Sequence, residues 1–325
     1  VLLFGDMHCH TVFSPDAEGE PDEQFFFARD MAEIDFVCLT DNDYYPPKAL
    51  LNSEVEHIAA IADSVSERDR FAAFCGYEFT FYNANSSESH NHRIVIFTEN
   101  DRKVIRRIQE EGRNEQAFLE NIKKTNDLIF PHHAEWSPMD IPNETFAEVT
   151  SAWGNYILAS NTIHNNLMKG RKLGFAGCSD NHRFLPGLGG AVTGVYCEKF
   201  DRESIIDALR RRRCFATTGN RTAVGFWAND CIMGQEAEAV KAPELRWKVL
   251  PQEEIEKIEI IRDGDIVHAN TERIGTWTDN SVEPGRHWYY LRVREKGDHK
   301  KYPHNLSPAF GKWAWSSPVW LRIGR

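Results

Sequence analysis

The sequence predicts an α/β protein that carries an all-β part at its C-terminal end. From the N-terminus to about residue 216, short apolar runs of strand length alternate with stretches that have the spacing of helices. From about residue 220 the pattern becomes alternation of polar and apolar residues between turn signals. We therefore expect one domain of helices and strands at residues 1–218 and a β-sandwich at residues 219–325.

The predicted strands of the first part are short runs rich in β-branched and aromatic residues. They are Leu2–Phe4, Phe36–Leu39, Phe71–Cys75, Ile94–Phe97, Leu128–Phe130, Phe146–Val149 and Gly174–Cys178. Between them, helical spacing is clearest after Asp201, which is a good N-cap for a helix in which Ile205 and Leu209 share one face.

The second part shows the two-residue period of half-buried strands. Residues 258–262 form such a run, and the Asp263-Gly264 pair that follows them is a hairpin signal. Near the C-terminus Val319, Leu321 and Ile323 fall on one face of an extended segment. This alternation predicts an antiparallel arrangement in which one face of each strand is buried.

Composition excludes several classes of protein. The chain has 325 residues, of which 41% are hydrophobic, and a net charge of −11, so it lacks the basic footprint of a protein that binds duplex nucleic acid. No apolar run approaches the roughly 20 residues that span a bilayer. Seven cysteines without a CxxC pair favour reduced thiols and a cytoplasmic location. Because the chain opens at Val1, a removed signal peptide is the alternative.

Histidines and carboxylates gather where the predicted strands end. These residues are His8, His10, Asp41, Glu78, His132, His133, Glu148, Asp180 and His182. Since the carboxyl ends of neighbouring parallel strands meet at one edge, we expect these side chains to converge. His8 and His10 are two residues apart, so both imidazoles project to the same side of an extended segment. Histidine and carboxylate ligands without cysteine are typical of a catalytic site for Zn, Mn or Fe.

The order of these motifs resembles the PHP (polymerase and histidinol phosphatase) superfamily of metal-dependent phosphoesterases. The motifs are GDMHCHT at 5–11, SPDA at 14–17, LTD at 39–41, GYE at 76–78, NHR at 91–93, PHH at 131–133 and SDNH at 179–182. A second group resembles the PHP branch that ends in a β-sandwich and includes carbaryl-hydrolase-like metallohydrolases. It comprises EV at 148–149, WGN at 153–155, ALR at 208–210, TTG at 217–219 and AWSSPVW at 314–320. The resemblance implies a PHP-type distorted β/α barrel with an appended C-terminal β-sandwich.

The resemblance also implies which residues hold two or three divalent metal ions (Zn, Mn or Fe). The ligands of a first ion would be His8, His10, Glu78 and Asp180. Glu78 would bridge to a second ion held by His92 and His132. We prefer His92 to His90 because the family's histidine directly precedes an apolar run, as His92 does here.

A third ion in many PHP enzymes uses Asp16, a histidine at position 42 and His182, but this chain has Asn42. An amide oxygen is a poor ligand for Zn or Mn. Two interpretations follow. Either two ions act and His182 with Asp16 is free as an acid/base pair, or Asp41 or Asp43 replaces the missing ligand.

The leading hypothesis is hydrolysis of a phosphomonoester or phosphodiester in a small anionic molecule by a metal-activated hydroxide. His182 or His133 would protonate the leaving group, and Arg93 and Arg183 would hold a second anionic group. Asp41 and Glu148 would support the ligands from behind or serve as alternative ligands.

Two other hypotheses remain open. The same metal centre would hydrolyse a carbamate, ester or amide if aromatic residues line it, and Phe79, Phe81, Tyr82 and Trp136 follow its motifs. A non-catalytic carbohydrate- or protein-binding module is the third hypothesis, because the C-terminal part contains tryptophans suited to stacking on sugars. These are Trp288, Trp313, Trp315 and Trp320.

Overall fold

The computed structural model describes residues 1–80, 91–99, 102–239, 242–298 and 311–324. The strands of the first part are β1 (Leu2–Cys9), β2 (Phe36–Leu39), β3 (Tyr44–Tyr45), β4 (Lys48–Ala49), β5 (Ala72–Phe79), β6 (Arg93–Ile96), β7 (Leu128–Pro131), β8 (Phe146–Thr150), β9 (Gly174–Gly177), β10 (Val192–Tyr196) and β11 (Cys214–Thr217). Its helices are α1 (Pro21–Phe26), α2 (Asn52–Val65), α3 (Glu115–Ile122), α4 (Tyr156–Ala159), α5 (Thr162–Met168) and α6 (Arg202–Arg210), with a π-helical turn at Phe27–Met31.

The remaining strands follow α6 and confirm that the second part is built of strands. They are β12 (Ala223–Ala228), β13 (Cys231–Ile232), β14 (Glu236–Ala239), β15 (Glu244–Leu250), β16 (Ile255–Arg262), β17 (Asp265–Asn270), β18 (Ile274–Thr278), β19 (Gly285–Glu295), β20 (Lys312–Ser316) and β21 (Val319–Ile323). The predicted hairpin at Asp263-Gly264 joins β16 to β17.

Thirteen strands form one mixed sheet, and its centre is buried on both faces. The order runs β14-β21-β19-β20-β11-β10-β1-β2-β5-β6-β7, while β16 pairs with β19 and with β17. In β2, Val37 and Leu39 pack with α1 and α2. Phe36 and Cys38 point to the opposite face and pack with α6. This two-sided burial explains why β2 is a continuous apolar run without polar alternation.

The structure is mixed α/β, but it does not show a closed barrel. β1, β2 and β5 are parallel neighbours, whereas β6 and β7 continue the sheet in antiparallel fashion. β8 and β9 form a separate parallel pair. Among the described residues, therefore, strand pairing leaves the sheet open between β7 and this pair. The predicted repetition of strand, helix and parallel strand is interrupted after β5 by the antiparallel strands β6 and β7. It returns at β8 and β9, which are parallel and are connected through α4 and α5.

The C-terminal strands form two sheets that face each other across an apolar core. β13, β12, β15 and β18 make a four-stranded sheet, and it packs on β16, β19, β20 and β21 of the large sheet. Val319, Leu321 and Ile323 point into this core, as the alternation predicts. Phe226 and Trp247 meet them from the smaller sheet.

Tryptophans on the opposite face of the large sheet are packing residues. Trp288, Trp315 and Trp320 are 3%, 0% and 8% exposed. They lie in one cluster with Ile163 of α5 and Phe175 of β9. Three of the four tryptophans that suggested a sugar-binding surface are therefore largely buried in the packing between the sheet and its neighbours.

One pairing joins the two parts of the chain in a single sheet. Phe215 of β11 is opposite Ser316 of β20, and the two strands run antiparallel. Phe215 also belongs to the core between the C-terminal sheets. The C-terminal strands therefore extend the sheet that contains β1, β2 and β5.

Among the described residues, no helix is both long and apolar enough to cross a membrane. The longest, α2, has 14 residues and carries Glu54, Glu56 and Asp63. A span of the bilayer core needs about 20 predominantly apolar residues.

Replacing Leu291 by alanine should destabilise the protein strongly. Leu291 is fully buried between the two C-terminal sheets, so its truncation leaves a cavity and should lower the free energy of unfolding by about 2–5 kcal/mol. Urea denaturation followed by circular dichroism measures this loss. The matched control is Leu250→Ala on β15, where the side chain is 69% exposed and the expected change is below about 0.5 kcal/mol. Equal effects of the two substitutions would contradict the proposed core.

Candidate metal centre

Four buried side chains bring their ligand atoms to one point at the end of β1. His8 and His10 project from the same side of the chain, and their Nε2 atoms are 3.1 Å apart. An oxygen of Glu78, near the end of β5, lies 3.6 Å from His8 Nε2 and 3.3 Å from His10 Nε2. Asp180, which follows β9, places an oxygen 3.3 and 3.4 Å from the same two nitrogens. All four side chains are at most 5% exposed.

These separations fit a divalent ion. Tetrahedral ligands at about 2.0–2.2 Å from a metal lie about 3.3–3.6 Å from one another. The measured distances between ligand atoms run from 3.1 to 3.6 Å. Two imidazoles and two carboxylates are also a suitable donor set for Zn, Mn or Fe. The residues present therefore fit a metal ion.

A second group lies on the other oxygen of Glu78. His92 Nδ1 is in close contact with Glu78 Oε1, and His132 Nε2 is 3.1 Å from the same oxygen. His92, His132 and His133 also place one nitrogen each within 4.8 Å of one another. Among the described residues, His92 Nε2 and His132 Nδ1 are buried without a hydrogen-bond partner. The Glu78 carboxylate thus faces two sets of histidines, one through each oxygen.

Glu78 is held in its charged form. Burial acts to raise the pKa of its carboxyl, but the charges of His132 and His92 and the contacts from His10 and His132 outweigh burial, so the pKa is well below its usual value. Asn42 adds to this environment, because its amide Nδ2 donates a hydrogen bond of 2.9 Å to Glu78 Oε2.

Two further carboxylates orient the histidines of β1 from behind. Glu148 on β8 accepts a 3.0 Å hydrogen bond from His8 Nδ1, which leaves His8 Nε2 facing the cluster. His10 Nδ1 lies 3.0 Å from the Ser14 hydroxyl, which donates in turn to Asp41 at 2.7 Å. Such partners fix the tautomer and the ring orientation of histidine ligands. The structure therefore places Glu148 and Asp41 behind the histidines.

Asp43 lies outside the cluster. Its carboxylate accepts hydrogen bonds from the backbone N–H groups of Thr80 at 2.9 Å and Arg107 at 2.7 Å. Burial raises the pKa of this carboxyl to about 7. Its oxygens are thus used to hold neighbouring loops.

His182 and Asp16 form a pair at the open side of the cluster. His182 Nε2 is 3.7 Å from Asp16, whose side chain is 45% exposed. The Nδ1 atom of His182 lies 3.0 Å from the backbone oxygen of Asp180. The imidazole of His182 stacks on that of His10 with 4.1 Å between ring centres. His182 therefore lies between the buried ligands and the solvent.

Two residues of the site have positive φ although they are not glycine. They are Asp180 with φ of 51° and His133 with φ of 69°. This left-handed conformation costs roughly 1–2 kcal/mol for an ordinary residue, and such strain is often found at functional sites. Burial also lowers the pKa of His133 to about 4, and the charge on His92 acts in the same direction. His133 is thus a neutral imidazole next to the second group of histidines.

The expectation that Arg93 binds substrate is wrong. Arg93 is fully buried, and its Nε donates to Glu144 at 2.7 Å. Its other nitrogens donate to backbone oxygens of His92 and Ser137. The guanidinium therefore ties β6 to neighbouring segments. Arg183, by contrast, is 40% exposed and pairs with Glu18 at 3.2 Å.

Two of the four aromatic residues that were expected to line the site are buried. Phe79 is fully buried and stacks on Phe118 at 4.0 Å between ring centres, and Trp136 is 7% exposed. Both rings are core residues. Phe81, Tyr82 and His90 lie outside the described residues.

Sequence reasoning missed two residues that shape the site. Asp6 is buried and accepts 2.9 Å hydrogen bonds from the backbone N–H groups of Ser179 and Gly187, which fixes the segment around Asp180. Its position two residues before His8, on the same face of β1, is the signal that would have found it. Trp153 donates a 3.0 Å hydrogen bond from Nε1 to the backbone oxygen of Asp180, and no sequence signal indicates that contact.

Comparison with known proteins gives relatives whose functions are not described. The chain is 24% identical over 388 residues to an uncharacterized protein of Chlamydia muridarum, covering 99% of this chain and 58% of that protein. An uncharacterized protein of Chlamydia trachomatis serovar D is 30% identical over 166 residues, which are 45% of this chain and 24% of that protein. The chain therefore spans less than two thirds of the length of these relatives.

One solved structure shares the fold over nearly the whole chain. It is described as a two-domain protein from Bacteroides vulgatus containing a predicted PHP-like metal-dependent phosphoesterase. The TM-score is 0.53 at 15% identity, and the match covers 99% of this chain and 95% of that chain. The likeness supports a mixed α/β fold of two domains.

The family described as "Protein of unknown function (DUF3604)" matches residues 23–138 and 151–245. These ranges make up more than half of the chain and include β5, β6, β7 and Glu78. The chain therefore belongs to this family.

Proposed function

We propose that the protein is a PHP-type metal-dependent phosphoesterase that hydrolyses a phosphomonoester or phosphodiester of a small anionic molecule. The observation that carries this proposal is the set of four buried ligand atoms of His8, His10, Glu78 and Asp180 at separations that suit a divalent ion. The solved structure that shares the fold is described as a predicted phosphoesterase of this type. The same proposal includes three further points. The protein would belong to the PHP branch that ends in a β-sandwich, its first domain would be a distorted barrel, and the boundary between the domains would follow residue 218.

Two divalent ions would fit the two groups of ligands. His8, His10, Glu78 and Asp180 would hold the first, and Glu78, His92 and His132 the second. When bound, such ions lower the pKa of water and neutralise the oxygens of a phosphoryl group. Glu148 and the Ser14–Asp41 pair keep His8 and His10 in the orientation that this requires.

His182 would carry the proton to the leaving group. Its Nδ1–H donates to the backbone oxygen of Asp180, so in the neutral ring Nε2 is the free base. Burial and the charge of His10 lower the pKa of His182, and Asp16, 3.7 Å from Nε2, acts against that shift by favouring the protonated imidazole. His182 would therefore bind a proton at Nε2 and pass it to the leaving oxygen, while Asp16 stabilises the charged state.

The contacts of Asp41 and Asp43 favour two ions over three. Both carboxylates are occupied by N–H or O–H donors from their own neighbourhood. Asn42 donates its amide N–H to Glu78, and its amide oxygen is a poor ligand for an ion that Asp16 and His182 would share. Of the two interpretations raised by Asn42, we therefore propose the one in which His182 and Asp16 act as an acid/base pair.

A cytoplasmic location is part of the proposal. Six of the seven cysteines are buried and all are unpaired, which suits a reducing compartment.

Purified protein should contain about two equivalents of Zn, Mn or Fe per chain. Elemental analysis by mass spectrometry measures this content. Glu78→Gln should lose both ions, because Glu78 faces both groups of histidines. The matched control is Glu238→Gln on β14, whose side chain is 82% exposed and should leave the content unchanged. A Glu78→Gln protein that keeps two equivalents would refute the assignment of Glu78 as the bridging ligand.

The metal-loaded protein should hydrolyse bis(4-nitrophenyl) phosphate or 4-nitrophenyl phosphate, and EDTA should abolish the reaction. His10→Ala should lower kcat/KM more than about 100-fold, since even partners behind a metal ligand contribute 10- to 100-fold. The control is His57→Ala at an exposed position of α2, with no expected change. Turnover of 1-naphthyl methylcarbamate without any phosphoester activity would instead support the carbamate hydrolase.

Asn42→His should raise the metal content from about two to about three equivalents. The new imidazole would complete the ligand set with Asp16 and His182, which are already 3.7 Å apart. The same elemental analysis tests this. An unchanged content would mean that Asp16 and His182 are not positioned to hold an ion even when the third ligand is supplied.

A further inference from the structure

We propose that Trp153 is the surface on which a planar aromatic ring of the substrate packs. The preferred substrates would then be phosphoesters whose aromatic ring lies within one or two bonds of the leaving oxygen. This inference rests on the proposed phosphoesterase function and specifies its substrate class.

The position of Trp153 is fixed by hydrogen bonds at both ends of the residue. Its indole Nε1 donates to the backbone oxygen of Asp180 at 3.0 Å. Its backbone N–H donates to the Ser151 hydroxyl, also at 3.0 Å. The indole is therefore hydrogen-bonded to the backbone of Asp180, a candidate metal ligand, and it keeps one orientation without a bound molecule. A preorganised ring of this kind loses little entropy when a ligand packs on it.

Trp153 remains open to solvent although it is tethered. It is 44% exposed, and it is the one exposed tryptophan among the described residues. Exposure increases in steps from the buried ligands outward: His10 is 0% exposed, the side chain of His182 is 15% exposed, and Trp153 follows. Covering this large apolar ring with a ligand removes apolar surface from water, which favours binding.

The contact between Trp153 and His182 determines which part of a substrate would reach the indole. Their ring centres are 5.6 Å apart, and the planes are nearly perpendicular at 88°. In the proposed reaction the leaving oxygen lies at hydrogen-bond distance from His182. Stacked or edge-on aromatic rings have centres about 4.5–7 Å apart. A ring bonded to the leaving oxygen, or one atom beyond it, has the length to span from His182 Nε2 to packing distance of Trp153.

A planar ring suits this surface better than a quaternary ammonium group. Recognition of such cations uses several aromatic faces that surround the charge. Within the described ranges, Trp153 is the one exposed tryptophan, and the ring plane of its neighbour His182 is nearly perpendicular to the indole. A single aromatic side chain is sufficient for a flat ring, because such a ring needs one partner to stack on.

The test compares phenyl phosphate with butyl phosphate in Trp153→Ala and Trp153→Phe. Trp153→Ala should lower kcat/KM about tenfold or more for phenyl phosphate, as loss of one stacking partner does, mainly through KM. For butyl phosphate the change should be below about threefold. Trp153→Phe keeps an aromatic face and should stay within about threefold of wild type on both substrates. Phe26→Ala, an equally exposed aromatic position on α1 at 44%, should change neither value.

Two results would overturn the inference while leaving the phosphoesterase intact. If Trp153→Ala lowers kcat/KM equally for both substrates and Trp153→Phe matches it, the residue acts only through its hydrogen bond to Asp180. If phosphocholine is the better substrate and depends on Trp153, the surface binds a cation. The metal content of each variant, measured alongside, shows whether the ligands are still in place.

A binding measurement separates this inference from the proposed function. Phenylphosphonate and butylphosphonate contain a carbon–phosphorus bond and should bind to the metal-loaded protein without being hydrolysed. Calorimetry should show phenylphosphonate binding about tenfold more tightly, with the preference lost in Trp153→Ala. If wild type hydrolyses no phosphoester but keeps this preference, the function fails and the aromatic surface stands. If it hydrolyses phosphoesters without the preference, the aromatic surface fails.

Discussion

The buried carboxylate of Glu78 is the interaction on which the arrangement of the site depends. An isolated charge in a protein interior is very unfavourable unless it is paired and hydrogen-bonded. Glu78 meets this requirement through His10 on one oxygen, His132 on the other and the amide of Asn42. These partners follow the C-terminal ends of β1, β7 and β2, so burial of the charge depends on those three strand ends meeting near Glu78.

The strained backbone of the site follows from the need for particular side chains at Asp180 and His133. Asp180 and His133 both have positive φ, although glycine would adopt this conformation at lower cost. Glycine has no side chain with which to bind a ligand or a proton. Asp6 offsets part of this strain, because it holds the backbone on both sides of Asp180 through Ser179 and Gly187. Side-chain chemistry therefore takes precedence over backbone preference at these two positions.

The spacing of residues along the sequence was sufficient to predict features that depend only on near neighbours in the chain. The facing imidazoles of His8 and His10 follow from the geometry of an extended chain, and β2 at Phe36–Leu39 follows from its apolar run. Long-range partners could not be predicted in this way. Arg93 looked available to a substrate because Glu144, its ion-pair partner, lies far along the sequence. The antiparallel pairing of β6 and β7 after β5 is likewise set by contacts between distant parts of the chain and not by composition.

The pairing of β11 with β20 has a consequence for synthesis on the ribosome. The edge of β11 is not paired until β20 has been synthesised, because Phe215 is opposite Ser316, about a hundred residues later in the chain. At about 5–20 residues per second, this edge remains open for roughly 5–20 seconds while the C-terminal strands are translated. An open edge strand can pair with other chains. During that interval the edge of β11 is exposed to pairing with other chains, even though the strands around Glu78 have already been made.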